Sequence, residues 1–363
     1  MQTIKIPKTN KVIGGGEVFI VAELGKGFIQ AREEKTPAEY LENAKQMVKA
    51  AKEAGVDAVK FQTHNLEDEQ LNLKITSPHF MGEDRYAWVK RNTLATPLWF
   101  WQELKKYCVE LGVIFFSTPM SRGAAKILEE ELDVPLWKVG SGDALDFVML
   151  DYLAGTGKPI IIASGMSILE DIDKAIDFLK KRNCQIVLMH CVSAYPCPPE
   201  ILNLNSIPFF QKRYDVLVGF SDHALGIAQE LKAVEMGAVC LEKHFTLNRG
   251  LWGSDHQVSM LPDEMAELVK RVRVRERVDF PYLGKEEKIL NEKEAVFRPI
   301  YRKALMAGRD IAAGEVLNKE DVYAMRPQKF AGGMPSEEYE NVLAKKVISD
   351  LKKYDPITWE NLI

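Results

Sequence analysis

Eight short apolar runs, each separated from the next by enough chain for a helix, constrain this protein more than any other feature. They read "VFIVAEL", "AVKFQTH", "VIFFSTP", "PLWKVGSG", "PIIIASG", "QIVLMHC", "VLVGFSDH" and "VCLEKHF", rich in Val, Ile and Phe. Such runs predict buried strands. The stretches between them have helical character. "TPAEYLENAKQMVKAAKEAG" puts Leu41, Ala44, Val48 and Ala51 on one face, opens with Thr-Pro and stops at Gly55, the marks of a capped amphipathic helix. "PLWFWQELKKYCVELG" repeats the design and ends at Gly112. Eight strand–helix alternations predict a parallel sheet covered by helices, and eight units close a barrel. Residues 1–283 are therefore read as a (β/α)8 TIM barrel. A doubly wound open sheet is the alternative, but no Gly-x-Gly-x-x-Gly follows the first run.

A barrel places its chemistry at the carboxyl ends of its strands, and those ends are polar here. They carry Glu23, Lys60 and Gln62, Ser117 and Thr118, Lys138 and Ser141, Ser193 and Tyr195, Ser221 to His223, and Glu242 and His244. Two histidines at matched positions after successive runs, each beside carboxylates, point to a site rather than to isolated core histidines. His190 lies inside its run and is read as structural; His64 and His79 receive no role. After residue 283 the helical spacing gives way to short segments. There "RDIAAGEVLNKEDV" (309–322) matches "SDLKKYDPITWENL" (349–362), an internal repeat that predicts a small second domain of two pseudo-symmetric halves, each with a capped turn at Asn318 or Thr358.

Composition narrows the function. A formal charge of −4 with both signs mixed throughout offers no field for a nucleic-acid backbone. Five scattered cysteines without Cys-x-x-Cys spacing read as reduced thiols. The first residues contain neither a signal peptide nor a membrane span, so a cytoplasmic protein is expected.

In order and spacing, "VFIVAELG", "AVKFQTH", "FFSTP", "KVGSGD", "IIIASGMS", "LMHC", "GFSDH" and "LEKHFTL" with "GSDH" resemble the N-acetylneuraminate (sialic acid) synthase family, and the repeat domain resembles its antifreeze-like, or SAF, domain. The resemblance implies a barrel over 1–283, a linker over 284–294 and a mainly β SAF domain of the β-clip type over 295–363. It implies a metal-dependent transferase that condenses phosphoenolpyruvate with an N-acylated hexosamine, N-acetylmannosamine or a modified analogue, to a nine-carbon 2-keto acid and phosphate. His223 and His244 would hold the divalent metal, with Mn2+ favoured for a mixed N/O site and Mg2+ possible. Lys60, Thr118, Lys138, Ser141, Ser193 and Ser221 would bind phosphoenolpyruvate. Gln62, Tyr195 and Asp255 would hold the sugar. Glu23 and Glu242 would divide the proton work, one protonating the new hydroxyl and the other orienting the attacking water. Arg326 would reach a partner's active site in a domain-swapped homodimer, although "RPQKF" replaces the family's Arg-Pro-Gly. The first strand end departs further: "AELGKGFIQ" lacks the family's Asn-His-Asn-Gly loop, which points to a changed sugar, with Lys26 read as a solvated loop lysine. A condensing enzyme for a phosphorylated aldose and a non-catalytic sugar-binding relative are the alternatives.

Overall fold

The computed structural model describes residues 2–76 and 84–363, so His79 lies outside the described residues. Each of the eight runs is a strand: β1 Phe19–Gly25, β2 Ala58–Thr63, β3 Ile114–Pro119, β4 Trp137–Val139, β5 Ile160–Ala163, β6 Ile186–Cys191, β7 Leu217–Asp222 and β8 Cys240–His244. Nearly every residue in them is buried, as expected of a parallel sheet covered on one face by helices and on the other by its own curvature. The parallel ladder runs β3-β2-β1-β8-β7-β6-β5-β4. Its two ends, β3 and β4, lie side by side and complete a nearly closed TIM-type barrel.

The helices are built from the local signals that mark them in the sequence. Helix Pro37–Glu53 starts at Thr36, whose hydroxyl accepts from Glu39 N while the Glu39 carboxylate accepts from Thr36 N at 2.9 Å. It buries Tyr40, Leu41, Ala44, Met47, Val48 and Ala51 against the barrel. Helix Leu98–Leu111 stops where Gly112 turns left-handed at φ 65°. At the amino ends of the strands, the hairpin Ile4–Lys5 with Val12–Ile13 buries Ile4, Ile6 and Ile13, and Lys11 pairs with Asp57 at 2.7 Å.

The second domain sits over the carboxyl ends. Strands β9 Ala304–Ala307 and β10 Val322–Met325 pair antiparallel. The two repeat copies meet through the bridge Ile311 to Leu351 and bury Ile311, Leu317, Leu351 and Ile357. Each copy has its capped turn: Asn318 accepts from Glu320 N at 3.0 Å, and Asn361 accepts from Thr358 N at 3.0 Å.

The chain reaches this domain along the strand ends. Glu294, fully buried, accepts from Met166 N at 2.9 Å and Ser193 N at 2.8 Å. Arg298 and Arg302 pair with Asp171 at 2.7 and 2.9 Å, and Lys303 pairs with Asp143 and Asp146 at 3.0 and 2.7 Å. Among the described residues no helix is long and apolar enough to cross a membrane.

Candidate active site

Strand alternation decides which side chains enter the barrel mouth. On β8, Glu242 and His244 face inward while Lys243 faces the helices, bridging Asp222 and Glu230 and donating to Ala224 O at 2.6 Å. Asp222, although it stands between two inward residues in "SDH", therefore belongs to the outer face. The ladder register sets Glu23 opposite Lys60 on one side and His244 on the other, Glu242 opposite Ser221, and Gln62 opposite Thr118. These strand ends surround a cavity of about 1020 Å³, counting the space at its mouth that is open to solvent, and every residue assigned a role from the sequence lines it.

The charges in this cavity are arranged as a tetrad. Lys60 Nζ lies 2.5 Å from Glu23 Oε2 and 3.5 Å from Glu242 Oε1; Lys138 Nζ lies 3.3 Å from Glu242 Oε1. Gln62 donates to Glu23 Oε1 at 3.0 Å, and Lys60 donates to Thr118 Oγ1 at 3.1 Å. The two carboxyl groups are driven apart. Burial, helped by the charge of Glu242 and opposed by Lys60, pushes Glu23 up to about 7. Burial acts on Glu242 as well, but the Lys138 and Lys60 ammonium groups outweigh it and hold that group down at about 2. Ser141, Ser193 and Cys191 crowd a further edge around Gly165, where an added Cβ would overlap both serine hydroxyls and force them to move.

The rings of His223 and His244 are 5.3 Å apart, and Tyr195 lies 4.1 Å from the His223 ring. His223 directs Nδ1 at the Val192 carbonyl, 2.9 Å away, and its ring also meets the Cys191 side chain. Burial brings His244 down to about 4, so its imidazole is neutral at pH 7. Two imidazoles held this way suit a divalent cation. Among the described residues no group of three or more His, Cys, Asp and Glu side chains is placed to hold one, so the remaining positions of such an ion would fall to water and substrate oxygens.

Arg326, expected to reach an active site, has its guanidinium fully buried in the cavity, where it pairs with Asp143, meets Glu69 Oε1 at 3.2 Å and donates to Tyr301 O at 2.9 Å. Two expectations change. Lys26 is not solvated; it is 8% exposed, its Nζ has no hydrogen-bond partner among the described residues, and it lies 5.3 Å from the Trp101 ring and 5.6 Å from the Phe28 ring. Burial brings its ammonium group down to about 7. His64, left without a role, lines the cavity together with Arg85, Asp143, Cys191 and Tyr301. The i, i+2 spacing of Lys60, Gln62 and His64 was the signal that could have found it; Arg85 opens the helix Arg85–Ala95 and Tyr301 ends the short helix Arg298–Tyr301, away from the strand ends in the chain and with no comparable signal. His190 is structural as read, with Nε2 2.6 Å from Leu202 O.

Comparison with known proteins agrees with this architecture. Residues 47–280 match the NeuB family and residues 302–363 match the SAF domain. The chain is 35% identical to the N-acetylneuraminate-9-phosphate synthase of Homo sapiens, covering 94% of this chain and 92% of that protein. It is 32% identical to the N,N'-diacetyllegionaminic acid synthase of Legionella pneumophila, covering 89% and 90%. The spore coat polysaccharide biosynthesis protein spsE of Bacillus subtilis superposes with a TM-score of 0.80 at 27% identity, over 100% of this chain and 99% of that one. A barrel whose strand ends converge on one charged cavity, with a SAF domain laid across it and these similarities in sequence, makes this chain a member of the NeuB family.

Proposed function

We propose that this chain condenses phosphoenolpyruvate with an N-acylated hexosamine, releasing phosphate and a nine-carbon 2-keto acid. The observation that carries this reading is the tetrad: two buried lysines and a ring of strand-end hydroxyls beside two carboxyl groups whose proton affinities are split, in one cavity with two imidazoles. Lys60 and Lys138, with Thr118, Ser141, Ser193 and Ser221, supply the cations and donors for a substrate that is anionic at both ends. Gln62, Tyr195 and Asp255, which line the same cavity, are the residues assigned to the sugar. The relatives named as synthases of N-acetylneuraminate 9-phosphate and of N,N'-diacetyllegionaminic acid support the reaction class.

In the reaction the methylene carbon of phosphoenolpyruvate forms a bond to the aldehyde carbon, and the aldehyde oxygen takes a proton to become a hydroxyl. Water adds to C2 and gives up a proton; the resulting hemiketal phosphate collapses with C–O cleavage, leaving the keto group and phosphate. Glu23, with its proton affinity near neutrality, is the group suited to move a proton at the aldehyde oxygen. Glu242, held ionised between Lys60 and Lys138, keeps both ammonium groups in place and orients the water. His223 and His244 are the residues that would hold a divalent cation, Mn2+ in preference to Mg2+; such an ion supplies Lewis-acid stabilisation of a developing alkoxide.

The test is phosphate release from phosphoenolpyruvate with Mn2+, offered N-acetylmannosamine, its 6-phosphate and 6-deoxy diamino hexoses. Acceptor-dependent release that falls at least about a hundredfold in His244→Ala is expected. Silence with every acceptor in Mn2+-loaded protein, or full activity in that variant, would overturn the reading.

A further inference from the structure

We propose that His64 determines specificity at the acceptor end of the cavity, held by Glu69 so that it accepts a hydrogen bond from the sugar, and that Arg326 acts on this subsite through Glu69. The inference rests on the synthase reading above. His64 stands two residues beyond Gln62, on the strand face that carries Lys60 and Gln62, and it lines the same cavity. Its Nδ1 lies 2.7 Å from Glu69 Oε2.

Glu69 is fully buried, and its other oxygen lies 3.4 Å from Arg85 Nη2 and 3.2 Å from Arg326 Nη1. A buried carboxylate flanked by two guanidiniums stays ionised, and an ionised carboxylate only accepts. Nδ1 must then carry the proton. In the neutral ring Nε2 is left with a lone pair on the cavity side. Burial lowers the proton affinity of His64, which keeps the ring neutral.

Arg326 is tied into the same segment by its backbone: Arg326 N donates to Glu69 O at 2.9 Å, and Leu71 N donates to Arg326 O at 2.9 Å. Its guanidinium donors go to Glu69, Asp143 and the Tyr301 carbonyl. It is a positioning residue, through which the C-terminal domain fixes a barrel side chain.

A lone pair at this place selects a sugar group that donates. A hydroxyl or an acylamido N–H satisfies it, whereas a phosphate or carboxylate oxygen meets it lone pair to lone pair. The acceptor is therefore an amino sugar that presents a neutral donor, not an anionic substituent, to His64.

Ring 15N NMR of the full chain, with the His64 signal assigned by its loss in His64→Gln, tests the dyad without catalysis. A neutral ring protonated at Nδ1 is expected; a ring protonated at Nε2, or an imidazolium at pH 7.5, would overturn the proposal. In kinetics, His64→Ala is expected to raise the acceptor KM about tenfold and leave the phosphoenolpyruvate KM unchanged. His64→Gln, whose Oε1 takes the place of Nε2, is expected to restore it to within about threefold, and His64→Asn is not. Arg326→Lys should raise the acceptor KM, and the effect should vanish in the His64→Ala background. Equal behaviour of the Gln and Asn variants, or a parallel rise in both KM values, would sink the specificity role. Wild-type protein silent with all acceptors would overturn the synthase reading and this role with it, while the ring tautomer would still decide whether the dyad exists.

Discussion

Glu69 is a carboxylate that solvent does not reach, and its neighbours set its chemistry. Burial alone would raise its proton affinity; the His64 ring and the Arg326 and Arg85 guanidiniums reverse that and bring it from 4.5 down to about 2. A folded value below the unfolded one contributes stability that is complete above the unfolded value and lost as pH falls toward the folded one. The contribution is about 3 kcal/mol. Urea midpoints measured from pH 6 to pH 2 are expected to fall across that window in the wild type, and Glu69→Gln should lack this part of the fall. Parallel curves would place the acid transition in other carboxylates. Single residues were legible in the sequence wherever strand alternation governs them: Lys60, Lys138, Glu242 and His244 follow from counting by two along a buried run. The burial of Lys26 and the ion-pair partners of Arg326 were not legible, because they come from segments remote in the chain.

At the scale of elements, the short connection between the domains shapes the barrel mouth. Met166 has a positive φ of 53°, unusual for a residue with a side chain. Its N–H is taken by Glu294, and its carbonyl accepts from Arg298 at 2.8 Å. Glu294→Ala is expected to cost about 2 kcal/mol of stability and to raise the phosphoenolpyruvate KM, since the same carboxylate holds Ser193 N beside the Ser193 and Ser141 hydroxyls. Thr36→Ala, which removes an exposed helix cap far from the cavity, is expected to cost about 1 kcal/mol and leave both KM values unchanged. Denaturant unfolding and steady-state kinetics on the two variants distinguish a general loss of stability from a loss of active-site geometry. The eight barrel strands and the helices Pro37–Glu53 and Leu98–Leu111 were readable beforehand, because apolar runs, Thr-Pro starts and terminal glycines act locally; the N-terminal hairpin and the paired strands β9 and β10 were not. The role of Glu294 was not, since nothing near it in sequence announces two backbone amides more than a hundred residues away.

At the scale of the molecule, the C-terminal domain is part of the catalytic cavity. Arg326 reaches Glu69 and Asp143 from β10, and Arg122 of the barrel donates to Val322 O at 3.0 Å. An equimolar mixture of Arg326→Ala and His244→Ala proteins is expected to show no activity beyond the sum of the two if each domain serves its own barrel. Recovery of a substantial fraction of wild-type activity on mixing and refolding would mean that the domain serves a second copy, as the sequence resemblance implied.

The sequence by itself determined the barrel, the repeat domain and most of the cavity lining. Those features depend on periodicity: period two sends alternate residues inward, and a barrel gathers all its strand ends at one mouth. Tertiary structure alone decided the charge states and the partners. It split Glu23 from Glu242 by placing one lysine near the first and two around the second, buried Lys26 between aromatic rings, and turned Arg326 onto Glu69. Proton affinities and ion pairs depend on distances of a few ångströms between residues far apart in the chain, and no local pattern encodes those distances.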